Sequence, residues 1–277
     1  MVFYIEKQVK MCYHIFMENF FEYKAEYNDI AFQLTNKSVI DEREIHSYHE
    51  LLLYISGDAE FLSTDGQRGL KERSVLLIPR ETYHFFKPKG SFTRLKISFQ
   101  DDGLLPDGDG ISFFEDLHKN TAHAFERLCA VIKDNSNKRN LYVYSAFLML
   151  MTELEVSGCE GSGALPKAPS TLMTAVTDYV SENLSGDLSI KALAERFHVS
   201  SSGITHQFKK ELGISLHKYV MQKRLILAQR MVSEGKQLSK SYAELGFSDY
   251  SSLYKAYVKY FGVPPVFSRC RSRPSPY

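Results

Sequence analysis

The segment LSIKALAERFHVSSSGITHQFKKELG, Leu188 to Gly213, carries the clearest structural signal in the chain. Ile190, Leu193, Ala194 and Phe197 recur at helical spacing, so they define one face of a short helix. His198-Val199-Ser200 is a turn, and the Ser200 hydroxyl is placed to cap a second helix, Ser201 to Leu212. In that helix Ile204 and Phe208 face inward, and Gly213 supplies a stop. Two short helices joined by a three-residue turn make a helix-turn-helix, whose second helix lies in the DNA major groove. Its outward positions here are Ser202, Thr205, His206 and Lys209, all able to hydrogen-bond to bases or phosphates.

The pattern recurs downstream. Ser215 is placed to cap a long helix, Leu216 to roughly Ser233. Leu238 to Leu245 reads as a helix, Gly246-Phe247-Ser248 as a turn, and Asp249 to Phe261 as a second reading helix. Leu253 and Tyr257 face inward there, while Tyr250, Ser251, Tyr254 and Lys255 face out. Gly262 and Pro264-Pro265 stop it. A connecting helix of about 18 residues is about 27 Å long. With its turns it sets the two reading helices about 34 Å apart, one turn of DNA. One chain would then enter two successive major grooves. Upstream, Thr171 to Leu184 reads as a helix with Leu172, Val176, Tyr179 and Val180 on one face.

Before that helix, Ser157 to Ser170 (SGCEGSGALPKAPS) has linker composition, with almost no large side chain. It divides the 277 residues into 1–156, a linker 157–170, and 171–277. The division also sorts the charge. Residues 1–156 hold 18 Lys and Arg against 24 Asp and Glu; residues 157–277 hold 16 against 9. The whole-chain charge of +1 is thus the sum of −6 and +7, and the basic part is the one with tandem reading helices. Apolar residues at 44 % and charged residues at 24 % exclude a disordered or collagen-like chain. Cys12, Cys129, Cys159 and Cys270 show no CxxC or metal spacing, so free thiols are expected. The polar, charged start is not a secretory signal, and no apolar run reaches the roughly 18 residues of a membrane span. A cytoplasmic protein with no membrane contact is expected.

Residues 1–110 alternate as strands do. Ile30–Leu34, Leu51–Ile55, Val75–Ile78 and Phe92–Phe99 are short and rich in β-branched or aromatic residues. Gly57-Asp58, Asp65-Gly66 and Pro88-Lys89-Gly90 are turn chemistry between them. The expectation is an antiparallel barrel or sandwich, closed by the acidic loop Asp101 to Gly110. Phe113 to Asp134 and Leu141 to Val156 read as helices packed on it. The uncharged stripe of the second is expected to make a homodimer.

These motifs resemble the AraC/XylS family of bacterial transcription regulators. Phe208-Lys209-Lys210-Glu211-Leu212-Gly213 matches the family's F-K-K-E-x-G, and Arg224, Leu225 and Ala228 match its R-L-x-x-A region. Gly246 to Leu253 matches G-F-x-[DS]-x-S-x-F/L, and Tyr260 to Pro265 matches its closing F-G-x-[ST]-P. The resemblance covers about 100 residues, Leu172 to Arg271. It implies an all-α, seven-helix domain that contacts double-stranded DNA bases through Ser202, Thr205, His206, Ser251, Tyr254 and Lys255. Tyr250 is an added base contact by its outward position, and Lys209, Lys210, Arg224 and Lys259 are expected on phosphates. Two departures stand out. Ser241 and Tyr242 occupy the family's aliphatic-Ala pair, and Ser268-Arg269 replaces a Tyr-Arg pair. A Tyr in an alanine-sized slot overpacks the second motif, so the first is expected to give most of the specificity.

Many members of this family carry a cupin-like barrel that senses a small molecule. His46, Glu50 and Gly57 resemble the first cupin motif, and Pro79 with His84 the second. Glu44 stands at the first motif's other histidine position, and Glu81 at the second motif's glycine. His46, Tyr48, Glu50, Tyr54 and His84 are the expected effector contacts. Glu44, His46, Glu50 and His84 could make a two-His, two-carboxylate set. Sensor members generally work without metal, so neither a metal nor a cofactor is expected. The resulting expectation is a ligand-responsive activator, not an enzyme, with RNA polymerase as a further candidate partner. The rivals are a metal-dependent cupin enzyme with an appended helical domain, and a constitutive DNA binder whose barrel only dimerises.

Overall fold

A computed structural model describes residues 21–36, 43–104, 110–156 and 169–265. Cys12, Cys159, Cys270, the linker up to residue 168 and the Ser268-Arg269 pair lie outside them.

Among the described residues, the first half forms an antiparallel sheet of eight strands. They are β1 (Glu22–Tyr27), β2 (Ile30–Thr35), β3 (Arg43–Glu44), β4 (His49–Ser63), β5 (Gln67–Gly69), β6 (Val75–Ile78), β7 (His84–Phe99) and β8 (Ser112–Phe114). The order is β1-β2-β7-β4-β6-β8, with β3 beside β7 and β5 beside β4. The long strands β4 and β7 pair from His49↔Phe99 to Ser63↔His84, with register shifts at Tyr54/Ser56 and Gly57/Ala59. Gly57 sits there at φ +118, where an L side chain is strained.

Strand alternation gives β4 two buried faces. Leu51 and Leu53 join Phe32, Leu95 and Ile97 beneath helices α1 (Lys119–Val131) and α2 (Arg139–Val156). Leu52 and Tyr54 join Phe61, Leu76, Phe86, Phe92 and Phe113 on the other face. The reading of Phe113 as helical is corrected. Phe113 and Phe114 form β8, paired with Leu76 and Val75, and Asp116 at φ +50 turns the chain before α1. A short apolar run serves a buried strand as well as a helix, and the pairing partner decides.

The second half is helical: α3 (Thr171–Glu182), α4 (Ile190–Arg196), α5 (Ser201–Leu212), α6 (Leu216–Ser233), α7 (Leu238–Ser241) and α8 (Tyr250–Phe261). Ser200 Oγ accepts from Gly203 N at 3.0 Å, Ser215 Oγ from Lys218 N at 3.2 Å, and Asp249 Oδ1 from Ser252 N at 2.8 Å. Each satisfies a helix-start N–H that has no partner within the helix. Gly213, Gly246 and Gly262 close their helices in the left-handed conformation at φ +71, +69 and +70. The expected helix Leu238 to Leu245 is broken: α7 gives way at Tyr242 to a 3-10 turn, Ala243–Leu245. Tyr242 is half-buried against the core of the second motif, and the tighter turn accommodates its bulk.

The two halves share one core. Ile45 and Tyr83 from the sheet half are buried among Val176, Val180, Phe208, Leu212 and Tyr219 of the helical half. The Tyr83 hydroxyl donates to the Leu212 carbonyl at 2.6 Å, and Tyr260 donates to the Ile45 carbonyl at 2.9 Å. Gln222 and Lys223 of α6 donate to the carbonyls of Arg43 and Glu81 at 3.0 and 2.8 Å. Glu81 also accepts from Arg230 at 3.0 Å, and it holds φ +63, a conformation that suits the glycine its motif position favours. Glu81→Gly should therefore shift unfolding free energy by less than about 1 kcal/mol. Relief of the backbone offsets a solvent-screened ion pair. Urea denaturation checks this, and a loss above about 2 kcal/mol would show the pair is worth more than its exposure implies.

Candidate functional site

The surface expected to read DNA is the outer face of α5 and α8. Ser202, His206, Lys209 and Lys210 are exposed on α5, and Ser251, Tyr254, Lys255 and Lys259 on α8. Inner faces hold these helices: Ile204, Phe208 and Leu212 are buried in one, Leu253 and Tyr257 in the other. Two expected base contacts are less free. Thr205 is half-buried, with its hydroxyl donating to the Ser201 carbonyl, and Tyr250 is half-buried against the core of the second motif.

Arg224 departs from the expected phosphate set. Its Nε donates to the Leu184 carbonyl at 3.0 Å and its Nη2 to that of Gly186 at 2.8 Å. A Cβ added at Gly246 would stand 2.3 Å from this guanidinium, so the side chain is packed beneath the second turn. Its donors brace α6 against the loop before α4. Glu211 of the F-K-K-E segment is also internal: it accepts from the Ser170 backbone N at 2.8 Å and from Gln207 at 2.9 Å, fixing the start of α3.

In the sheet half, His46, Tyr48, Glu50 and His84 come together. The His46 ring stacks on Tyr48 at 3.9 Å and lies edge-on to His84 at 4.9 Å. Glu50 Oε2 is 3.2 Å from His46 Nε2 and 3.9 Å from His84 Nε2. Lys96, which the sequence reading did not single out, lies 3.7 Å from Glu50 and 3.5 Å from Glu44. Burial is the largest single influence and would raise the Glu50 carboxyl, but Lys96, His46 and His84 together outweigh it and hold Glu50 well below the ordinary carboxylate value. Burial pushes His84 down to about 4, so its ring is neutral at neutral pH. Tyr54 stands apart: its ring packs on Phe86 at 5.9 Å in the aromatic core, two pleats along β4 from Glu50. Among the described residues no helix is long and apolar enough to cross a membrane.

Two capped helix-turn-helix units joined by an 18-residue helix, with basic outer faces, have the architecture of a DNA-binding domain. A family model described as a helix-turn-helix domain matches residues 193–269. The chain is 31 % identical over 95 residues to the probable transcriptional regulator LumQ of Photobacterium leiognathi, spanning 34 % of this chain and 38 % of LumQ. It is 20 % identical over 222 residues to the uncharacterized HTH-type transcriptional regulator YfiF of Bacillus subtilis, 73 % of this chain and 71 % of YfiF. A solved structure of ToxT from Vibrio cholerae aligns over 89 % of this chain and 95 % of its own, at 10 % identity and a TM-score of 0.39. Residues 193–269 thus carry a helix-turn-helix domain similar to those of AraC-family transcriptional regulators.

Proposed function

We propose that the whole chain is a ligand-responsive activator that reads two adjacent major grooves of double-stranded DNA. Residues 1–156 sense and dimerise, 157–170 connect, and 171–277 bind DNA. The single observation behind this is the pair of exposed faces on α5 and α8, each carried by a buried, capped helix. Ser202, Thr205, His206, Tyr250, Ser251, Tyr254 and Lys255 address bases; Lys209, Lys210 and Lys259 address phosphates. Arg224 acts from within, as a brace.

Homodimerisation uses α2. Its inner face packs on the sheet, while Leu141, Tyr142 and Met149 stay exposed without a charge among them. Responsiveness follows from adjacency along the chain. His46 follows Ile45 and His84 follows Tyr83, so each cluster histidine neighbours a residue buried in the helical half. A ligand that shifts these strands changes how the reading helices are held.

The test is selection of duplexes from a randomised pool, then affinity for the selected site. His206→Ala should cost about 1–3 kcal/mol and relax preference at one position. Lys209→Ala should weaken all sequences alike and lower the salt dependence by about one phosphate. A larger specificity loss for Tyr254→Ala than for His206→Ala would overturn the dominance of the first motif. Retention of no sequence from the pool would overturn the DNA-binding reading itself.

A further inference from the structure

Three potential metal-ligating atoms converge in the polar cluster. His46 Nδ1 lies 2.7 Å from the Tyr48 carbonyl oxygen, and His84 Nδ1 lies 3.2 Å from that of Thr82. A carbonyl oxygen only accepts, so Nδ1 of each ring is the donor on that side and Nε2 is the atom turned inward. Both Nε2 atoms face Glu50 Oε2, and the ligating atoms of the three residues lie within 4.8 Å of one another. His46 Nε2 and Glu50 Oε2 are buried without a hydrogen-bond partner. A carboxylate and two inward-turned imidazole nitrogens held this way suit a positive centre among them. Lys96 meets part of the charge of Glu50 but offers nothing to either imidazole, and it is shared with Glu44.

We infer that His46, Glu50 and His84 bind one divalent transition-metal ion, and that this ion is the effector of the regulator. Two imidazoles and a carboxylate suit Zn²⁺, Co²⁺, Ni²⁺ or Fe²⁺, and serve Mg²⁺ or Ca²⁺ poorly. With metal–ligand bonds of about 2.0–2.2 Å, donors stand about 3.3 Å apart around a tetrahedral ion. The His46–Glu50 edge is already 3.2 Å. The His84–Glu50 edge, at 3.9 Å, has to close by about half an ångström, and the widest edge, within 4.8 Å, by up to about 1.5 Å. The Nδ1–carbonyl bonds are the outer contacts that fix the tautomer of a metal-binding histidine. Glu44 is not among the three converging residues; its carboxylate faces Lys96. Closing the His84 edge pulls on Tyr83, whose side chain is buried in the helical half. Binding of the ion stands on geometry alone. Its role as effector rests on the reading above of a ligand-responsive regulator.

The full chain, stripped of metal by chelator and dialysed, is titrated with Co²⁺ followed by visible absorption and with Zn²⁺ followed by calorimetry. One equivalent should bind, with Co²⁺ ligand-field bands, and Glu50→Gln and His84→Ala should each weaken binding at least tenfold. Binding of neither ion by the folded wild type overturns the site. So does stoichiometric binding that survives undiminished in Glu50→Gln, an isosteric change that keeps the fold testable if His84→Ala does not fold. In a second arm, the metal-loaded and metal-free wild type are compared on a selected duplex. A change in Kd of fivefold or more, absent in Glu50→Gln, is expected. Stoichiometric metal with an unchanged Kd overturns the effector role and leaves the site standing. Should no duplex bind in either state, the regulator reading fails with the effector role, and the titration still decides the site.

Discussion

Replacing Tyr83 with alanine is expected to lower stability by about 3–5 kcal/mol and to loosen the helical half from the sheet. Tyr83 is fully buried, its ring edge-on to Tyr219 at 5.7 Å. Its hydroxyl donates to Leu212 O, one of the carbonyls at the end of α5 that has no partner within the helix. Truncation removes a large apolar contact and leaves that carbonyl unsatisfied in a closed site. Tyr83→Phe keeps the ring and loses only the hydrogen bond, so it should cost about 1 kcal/mol. Urea unfolding gives both values, and protease cleavage within residues 157–168 reports the loosening. A Tyr83→Ala protein with the wild-type midpoint and cleavage rate would mean that the contact between halves carries little energy.

Gly57→Ala is the second large effect, at about 3 kcal/mol or more. A Cβ at this position would lie 2.2 Å from the Ser91 carbonyl oxygen and 2.6 Å from the Phe92 Cα. Both are backbone atoms of β7, so no side chain can swing aside. The residue would also be left at φ +118, outside the comfortable range of alanine. The strain falls on the β4–β7 pairing that spans the sheet half, so thermal unfolding should move down by many degrees. An unshifted melting temperature would show that the two strands separate freely at this bend.

Much of the helical half was legible because its signals are local. A serine or aspartate before an apolar-periodic run and a glycine after it are chain-neighbour chemistry, and Ser200, Ser215, Asp249 and Gly213 act as that chemistry dictates. The role of Arg224 was illegible because the acceptors of its guanidinium come from Leu184 and Gly186, 40 and 38 residues away. Phe113 was misplaced because its partner Leu76 lies on a strand far earlier in the chain. The cluster was legible in part. His46 and Glu50, and separately His84, were found by spacing, while Lys96 carries no motif and is brought in by β7. Tyr54 has the correct strand face but the wrong height. The docking of the two halves gave no signal, since Ile45 and Tyr83 look like any strand apolar residue until the helices cover them.

That shared core also has a timetable. Leu212 follows Tyr83 by 129 residues. At about 5–20 residues per second, a ribosome needs roughly 6 to 26 s to supply it. Until then Ile45 and Tyr83 stay uncovered, a greasy notch on the sheet half as it forms. The nascent chain is thus most vulnerable to mispairing between the synthesis of β7 and that of α5, and helpers that shield emerging chains would find their target there.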